Sequence, residues 1–449
     1  MGSSAQGGDA PPLRPRRGGA PAPAGLPRLP DPGAPLRAHR GSGLNVQNPR
    51  FPLFDSLRAI AALSVVLFHI AFVLHGFGKP GYGRYLEELN IGVSIFFLIS
   101  GFLLYRPFAA ARFASARLPA VGRYAIRRFF RIVPAYWVAL PIVAVWTNLP
   151  AVLHDPPPYF GFGQVYDRAT LLKGYGIAWT LCVEVSFYAL LPLWALATRA
   201  LPGRSLRQLR LTELLPLALM FAAGLAWNVT QVEVHQGTLA FSPSVATLPA
   251  YLDQFAVGMA LAVASVALAG RDQQPLAVRI VHRASWVPWA VAAGAFVALC
   301  NVGRGGGTGG ALARHELRSV VALGVLLPAI FGDDRGGAVR RLLADRRLQW
   351  AGLISYSLYL WHPAILLQLG KDGWDHRLGG LAFAVGGAVL CLAVAAASFY
   401  VVERPALRIG RRLAGRRGYL EGEGGRPGAP DRPGAPSVEL AGADRHSRT

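Results

Sequence analysis

Arg58 and His69 stand eleven positions apart in Asp55-Ser-Leu-Arg58-Ala-Ile-Ala-Ala-Leu-Ser-Val-Val-Leu-Phe-His69. Eleven helical residues at about 100° each return to within about 20° of one face and separate the two groups by about 16 Å. Imidazole is the side chain that most often takes up a proton near neutral pH, so His69 is a candidate general base with Arg58 on its face. The same histidine also reads as a packed, hydrogen-bonded core residue. Arg128 and Arg131, in Arg127-Arg128-Phe-Phe-Arg131-Ile-Val-Pro134, are three apart and share a helix face. Such a fork suits phosphate oxygens; its other reading is a pair of anchors that snorkel to lipid phosphates at a helix end.

Three further segments carry groups that are expensive in an apolar setting. Trp179-Thr-Leu-Cys-Val-Glu184-Val-Ser-Phe-Tyr188 buries a carboxylate about two turns from a helix start, where it either orients the imidazole, binds an acceptor hydroxyl or holds helices together. Ser355-Tyr356-Ser-Leu-Tyr359-Leu-Trp361-His362-Pro363 sets polar aromatics and a second histidine in one helix, where they supply chemistry or tie helices together. Glu403-Arg404-Pro405 at a helix end reads first as a local interfacial pair between neighbours.

The elements that must position these residues are membrane helices. The chain has 449 residues, 53% hydrophobic and 16% charged, which is too apolar for an ordinary soluble domain. A bilayer core of about 30 Å needs about 20 apolar residues as helix. Ten stretches approach that length, beginning near Leu57, Asn90, Phe129, Ile177, Glu213, Pro249, Trp286, Glu316, Gln349 and Gly379. Pro216, Pro249 and Pro328 interrupt or border the less clear ones. The fold class expected is an all-α, polytopic transmembrane bundle of about ten helices.

The formal charge of +22 does not point to nucleic acid, because Arg and Lys fall in short clusters between apolar runs. With the N-terminus in the cytoplasm, the four inside loops carry more basic residues than the five outside ones, so both termini are expected inside. Cys182, Cys300 and Cys391 lie far apart in apolar segments and offer neither a disulfide framework nor metal spacing, and no metal is expected. Residues 1–50 and 413–449, rich in Pro, Gly and Arg, are expected to be disordered cytoplasmic tails flanking a domain over 51–412. The Gly-rich stretch Gly303 to Gly310 lacks the order of a phosphate loop and reads as a flexible connection.

In this order the segments resemble the acyltransferase-3 family of membrane acyltransferases, which modify surface glycans, lipids and secreted metabolites. The likeness covers about Phe51 to Arg412. It rests on the Arg58 to His69 spacing, Asn90-Ile-Gly-Val-Ser-Ile-Phe-Phe-Leu-Ile-Ser100-Gly101-Phe102-Leu, the Arg128 and Arg131 pair, Trp179 to Tyr188, and Glu403-Arg-Pro405. The resemblance implies a ten-helix core in which the position of His69 serves catalysis and those of Arg128 and Arg131 serve a coenzyme A donor. Ser56 and Thr180 stand where the family commonly has Gly and Ser, both small changes. Some relatives add a C-terminal esterase-like domain; none is expected here, so a second-stage transfer would need a partner.

The implied activity is O-acyl transfer, with acetyl as the first candidate group, from cytoplasmic acyl-coenzyme A to a hydroxyl of a glycan, lipid or metabolite. Expected catalytic residues are His69, Arg58 and Glu184; donor-binding residues are Arg128 and Arg131. Supporting residues are Ser100, Trp179, Tyr188, Tyr359, His362 and Glu403, with Tyr, Trp or Arg58 as oxyanion donors. No tightly bound cofactor is expected. The partners are the bilayer, the acyl-coenzyme A donor and the acceptor, and the location is a bacterial plasma membrane. The competing reading is a proton-coupled secondary transporter, which mid-membrane His and Glu would also suit, although no inverted repeat is evident. The HxxxxD pattern of soluble-type glycerolipid acyltransferases is absent.

Overall fold

The computed structural model describes residues 51, 53–171, 173–235, 241–269, 271, 273–303, 307–332 and 337–420, the last five as backbone only. Helices dominate these residues because runs of Ala, Leu, Val and Phe satisfy every backbone group internally, the requirement for a chain inside lipid. The long helices are labelled α1 Leu53–Val73, α2 Gly92–Phe113, α3 Val121–Trp146, α4 Ala178–Arg199, α5 Leu206–Val234, α6 Leu252–Ala267, α7 Val287–Asn301, α8 Gly307–Phe331, α9 Ser355–Lys371 and α10 Gly380–Ser398. They correspond in order to the ten stretches marked by hydropathy. Among the described residues, seven helices are long and apolar enough to cross a membrane by themselves, and an eighth candidate is Leu276–Arg283 with Val287–Asn301, bent by 98°. The remaining two are α8, whose first half carries Arg314, His315, Glu316 and Arg318, and α9, which is 17 residues long.

Several boundaries differ from the sequence expectation for one reason. Hydropathy marks only the apolar part of a helix, whereas α3, α5 and α8 begin with polar turns, at Val121, Leu206 and Gly307. Pro216 and Pro328 lie inside α5 and α8 and do not end them. Part of the Gly-rich stretch, read as a flexible connection, is the first turn of α8 from Gly307; residues 304–306 lie outside the described residues. The tails expected at 1–50 and beyond 412 also lie outside them, except that a final helix, Arg404–Leu420, carries the chain past 412. All three cysteines are buried and unpaired, as small hydrophobes.

α1 is the central helix. Its C-terminal half gives Val65, Val66, Ile70 and Val73 to a core shared with α3, α4, α9 and α10. Its N-terminal half gives Leu53, Phe54, Leu57 and Ala61 to a second core shared with α2, α4, α5, α6 and α8. Lipid-facing surfaces lie on outer helices such as α5 and α10, where Leu215, Leu219, Val385 and Val389 are exposed.

The Ser100-Gly101-Phe102 motif has a packing reason. A Cβ on Gly101 would stand 2.6 Å from the Phe255 carbonyl oxygen and 3.2 Å from Gly258 Cα, so α2 and α6 cross backbone to backbone there. Polar groups lock the same region: Tyr105 donates to Glu213, and Arg112 pairs with Glu213 at 3.2 Å, tying α2 to α5.

Candidate active site

Two cavities open at opposite ends of α1. The first, of about 180 Å³, is lined by Arg58 from the start of α1, Ser100 from α2, Arg128 and Arg131 from the start of α3, Glu184 and Tyr188 from α4, and Tyr356 from α9. The second, of about 580 Å³, is lined by His69 from the far end of α1, Asn90, Trp179 from the start of α4, Tyr251 and Gln254 around the start of α6, and His315 from α8. Val93 and Tyr359 line both, so the two chambers meet at these side chains. Tyr359 is held at this boundary by its hydroxyl, 2.8 Å from Thr180 Oγ1.

The arginine cavity collects most of the charged residues singled out in the sequence. Arg58 pairs with Asp55 at 2.9 Å. Arg131 pairs with Glu403 at 2.6 Å, and Ser357 donates to the other oxygen of that carboxylate at 2.9 Å. Glu403 is 1% exposed, and its partner is 272 positions away rather than the neighbouring Arg404. The local pair read from Glu403-Arg404 is therefore corrected: Arg404 lies over the Tyr400 ring instead. Arg128 lies over the Tyr188 ring at 5.9 Å and forms no ion pair among the described residues, which leaves its charge for an anionic ligand.

Glu184 is also corrected in position. It accepts from Ser100 Oγ at 3.1 Å and from the Tyr188 hydroxyl at 2.8 Å, and faces the arginine cavity. It therefore does not orient His69, whose partners are Val65 and His362, and it lines the arginine cavity with Thr180 and Leu181, whereas Trp179 of the same helix lines the histidine cavity.

His69 is oriented by other groups. Its Nδ1 is 2.9 Å from the Val65 carbonyl and 3.2 Å from Nε2 of His362, while Nδ1 of His362 is 2.9 Å from the Leu358 carbonyl. Carbonyls only accept, so both Nδ1 atoms carry hydrogen; His362 Nε2 is then an acceptor for His69, and the lone pair of His69 is left on Nε2. The rings meet edge to face with centroids 4.8 Å apart. The indole N–H of Trp179 makes no hydrogen bond among the described residues and belongs to the same cavity wall.

Sequence reasoning missed the polar wall opposite His69. Asp253, 0% exposed, lies 2.7 Å from His315 across α6 and α8, and both Asn228 and Gln254 stand beside them. An ionisable residue inside a membrane segment was the available signal. It was lost because the sixth and eighth segments were expected to begin near Pro249 and Glu316, which left Asp253 at a margin and His315 in a loop.

The family profile described as an acyltransferase domain matches residues 52–400. The chain is 27% identical over 377 residues to the membrane-bound transacylase BcsY of Komagataeibacter xylinus, covering 79% of this chain and 82% of that one. It is 26% identical over 408 residues to nodulation protein 10 of Rhizobium leguminosarum bv. viciae, covering 81% and 95%. A shorter match, 26% over 161 residues, covers 32% of this chain and 24% of the peptidoglycan O-acetyltransferase OatA of Listeria monocytogenes. No solved structure matches the chain. The membrane-helical fold and the family match define an integral membrane transferase of acyl groups. The chain belongs to the acyltransferase-3 family.

Proposed function

We propose that the protein is an O-acyltransferase that takes an acyl group from acyl-coenzyme A at the arginine cavity and passes it to a hydroxyl of a surface glycan, lipid or secreted metabolite in the histidine cavity. The observation that carries this reading is the meeting of a three-arginine chamber and an imidazole chamber at Val93 and Tyr359, from opposite ends of one helix. Arg58, Arg128 and Arg131 suit the phosphates of the donor, Arg128 most of all because its charge has no carboxylate partner among the described residues. Glycans lead among acceptors because relatives include a peptidoglycan O-acetyltransferase and an exopolysaccharide production protein.

In the proposed step the acceptor hydroxyl attacks the thioester carbonyl as its proton passes to Nε2 of His69. The tetrahedral oxyanion then collapses, the C–S bond breaks, and the coenzyme A sulfur leaves with the proton returned by the imidazolium. His362 and Val65 hold the ring so that Nε2, not Nδ1, is the base. The Trp179 N–H is a donor available for the oxyanion. Basic residues concentrate in the loops at the arginine end, which supports a cytoplasmic donor side, cytoplasmic termini and a plasma-membrane location. No tightly held cofactor enters the step.

The test uses purified, detergent-stable protein, labelled acetyl-coenzyme A and an envelope glycan fraction from cells lacking the gene. His69→Ala is expected to lower transfer by about 10² to 10⁴ while donor affinity is kept, since a general base adds little to ground-state binding. Near-wild-type turnover in a folded variant removes His69 from the mechanism.

A further inference from the structure

The histidine cavity holds a second imidazole with a different backing. His315 is 5% exposed, and its Nε2 lies 2.7 Å from Oδ2 of Asp253, which is 0% exposed. A buried carboxylate accepts, so Nε2 carries the hydrogen and the lone pair of His315 sits on Nδ1, while Asn228 Nδ2, 3.3 Å from Nε2, donates to the Ala250 carbonyl at 3.0 Å instead. Nδ1 has no hydrogen-bond partner among the described residues, and His315 lines the cavity that His69 also lines. A carboxylate behind an imidazole fixes its tautomer and makes the opposite nitrogen a stronger acceptor. His69 lacks such a carboxylate, being backed by a carbonyl and a second imidazole.

The surroundings of His315 point to a ligand. Gln254 and Asn228, each 1% exposed, line the same cavity, and the carbonyl oxygen of each has no hydrogen-bond partner among the described residues. Buried acceptors left unmatched are costly, and the hydroxyls of an acceptor substrate are donors that can match them. Trp179 and Tyr251, with ring centroids 5.5 Å apart and planes tilted by 32°, add an aromatic wall.

We propose that Asp253 and His315 form an acceptor-positioning pair: Nδ1 of His315 takes a hydrogen bond from a non-reacting hydroxyl while His69 takes the proton of the reacting one. The acceptor is then a polyol, held at two hydroxyls, rather than a simple alcohol. This rests on the reading of the histidine cavity as the acceptor chamber. Asp253, His315 and Glu316 also bring metal-ligating atoms within 4.8 Å of one another. Two ligands of a tetrahedral zinc, at about 2.0–2.1 Å from the ion, stand about 3.3 Å apart. The 2.7 Å between Nε2 and Oδ2 is instead the span of a shared hydrogen.

The experiment measures steady-state transfer by the purified full-length protein, from labelled acetyl-coenzyme A to the unacylated envelope glycan fraction, with the apparent KM for each substrate taken separately. His315→Gln is expected to raise the acceptor KM about tenfold, the effect of one lost hydrogen bond of about 1.4 kcal/mol, with donor KM unchanged. Asp253→Asn is expected to do the same, and the double variant no more than either, because the pair acts as a unit. An unchanged acceptor KM in His315→Gln overturns the proposal, and so does an equal loss of donor affinity, which marks a structural role. Activity lost to EDTA and restored by zinc overturns it in favour of a metal centre. A wild type that acylates no hydroxylated fraction overturns the acyltransferase reading and this one together, whereas an active wild type with an indifferent His315 overturns this one alone.

Discussion

Removing Arg131 should damage the fold before it damages chemistry. Its guanidinium is 25% exposed, but the Glu403 carboxylate opposite it, at 2.6 Å, is 1% exposed. Arg131→Met leaves that carboxylate with Ser357 as its only remaining hydrogen-bond donor. Breaking a buried pair by deleting one partner costs about 3–5 kcal/mol, chiefly because a charge is left uncompensated in a low-dielectric interior. That is roughly two to four orders of magnitude in the folded-to-unfolded ratio. Arg131→Met with Glu403→Gln removes both charges, and Ser357 can still donate to the amide oxygen, so most of the lost stability should return. The assay is the monodisperse fraction by gel filtration after graded heating in detergent, with coenzyme A binding measured on the same samples. Recovery of stability without recovery of donor affinity would separate the structural from the ligand-binding role of Arg131. A single variant as stable as wild type, or a double variant no more stable than the single one, refutes the reasoning.

Arg128→Ala should fold normally, because Arg128 has no ionic partner among the described residues to orphan, and should weaken donor binding by about 10- to 100-fold, the worth of one charge-assisted phosphate contact, by calorimetry with coenzyme A. An unchanged affinity would return Arg128 to the role of an interfacial anchor. Glu184→Gln removes a negative charge from the arginine cavity, so affinity for the anionic donor should rise by a few-fold in the same titration; a fall would show that the carboxylate organises the donor site. Tags after Arg117 and Arg207 should be labelled only from the cytoplasm, and one near Asp155 only from outside. Labelling near Asp155 from inside alone would overturn the sidedness of the two cavities.

Much of the scaffold was legible because a bilayer imposes one strong rule on sequence. About 20 apolar residues are needed per crossing, and each of the ten stretches found that way has a helix in its place. The chemistry-bearing residues were legible for a related reason, since an Arg, His or Glu inside an apolar run is costly enough to stand out. The margins were less legible: α3, α5 and α8 begin with polar turns that hydropathy cannot tell from loop, which hid His315.

By itself, then, the sequence determined the membrane-helical class, the order of the helices and the identity of the ionisable residues within them, since hydropathy and helical spacing are local properties. Tertiary structure alone decided the partnerships. His69 meets His362 across 293 positions, Arg131 meets Glu403 across 272, and His315 meets Asp253 across 62. Glu184 falls on the arginine side with Thr180 and Leu181, and Trp179 on the histidine side, because successive side chains of α4 diverge by about 100° where the two chambers meet. The physical reason is that a buried charge or imidazole is defined by what neutralises or orients it, and those groups come from other helices whose packing no local pattern encodes.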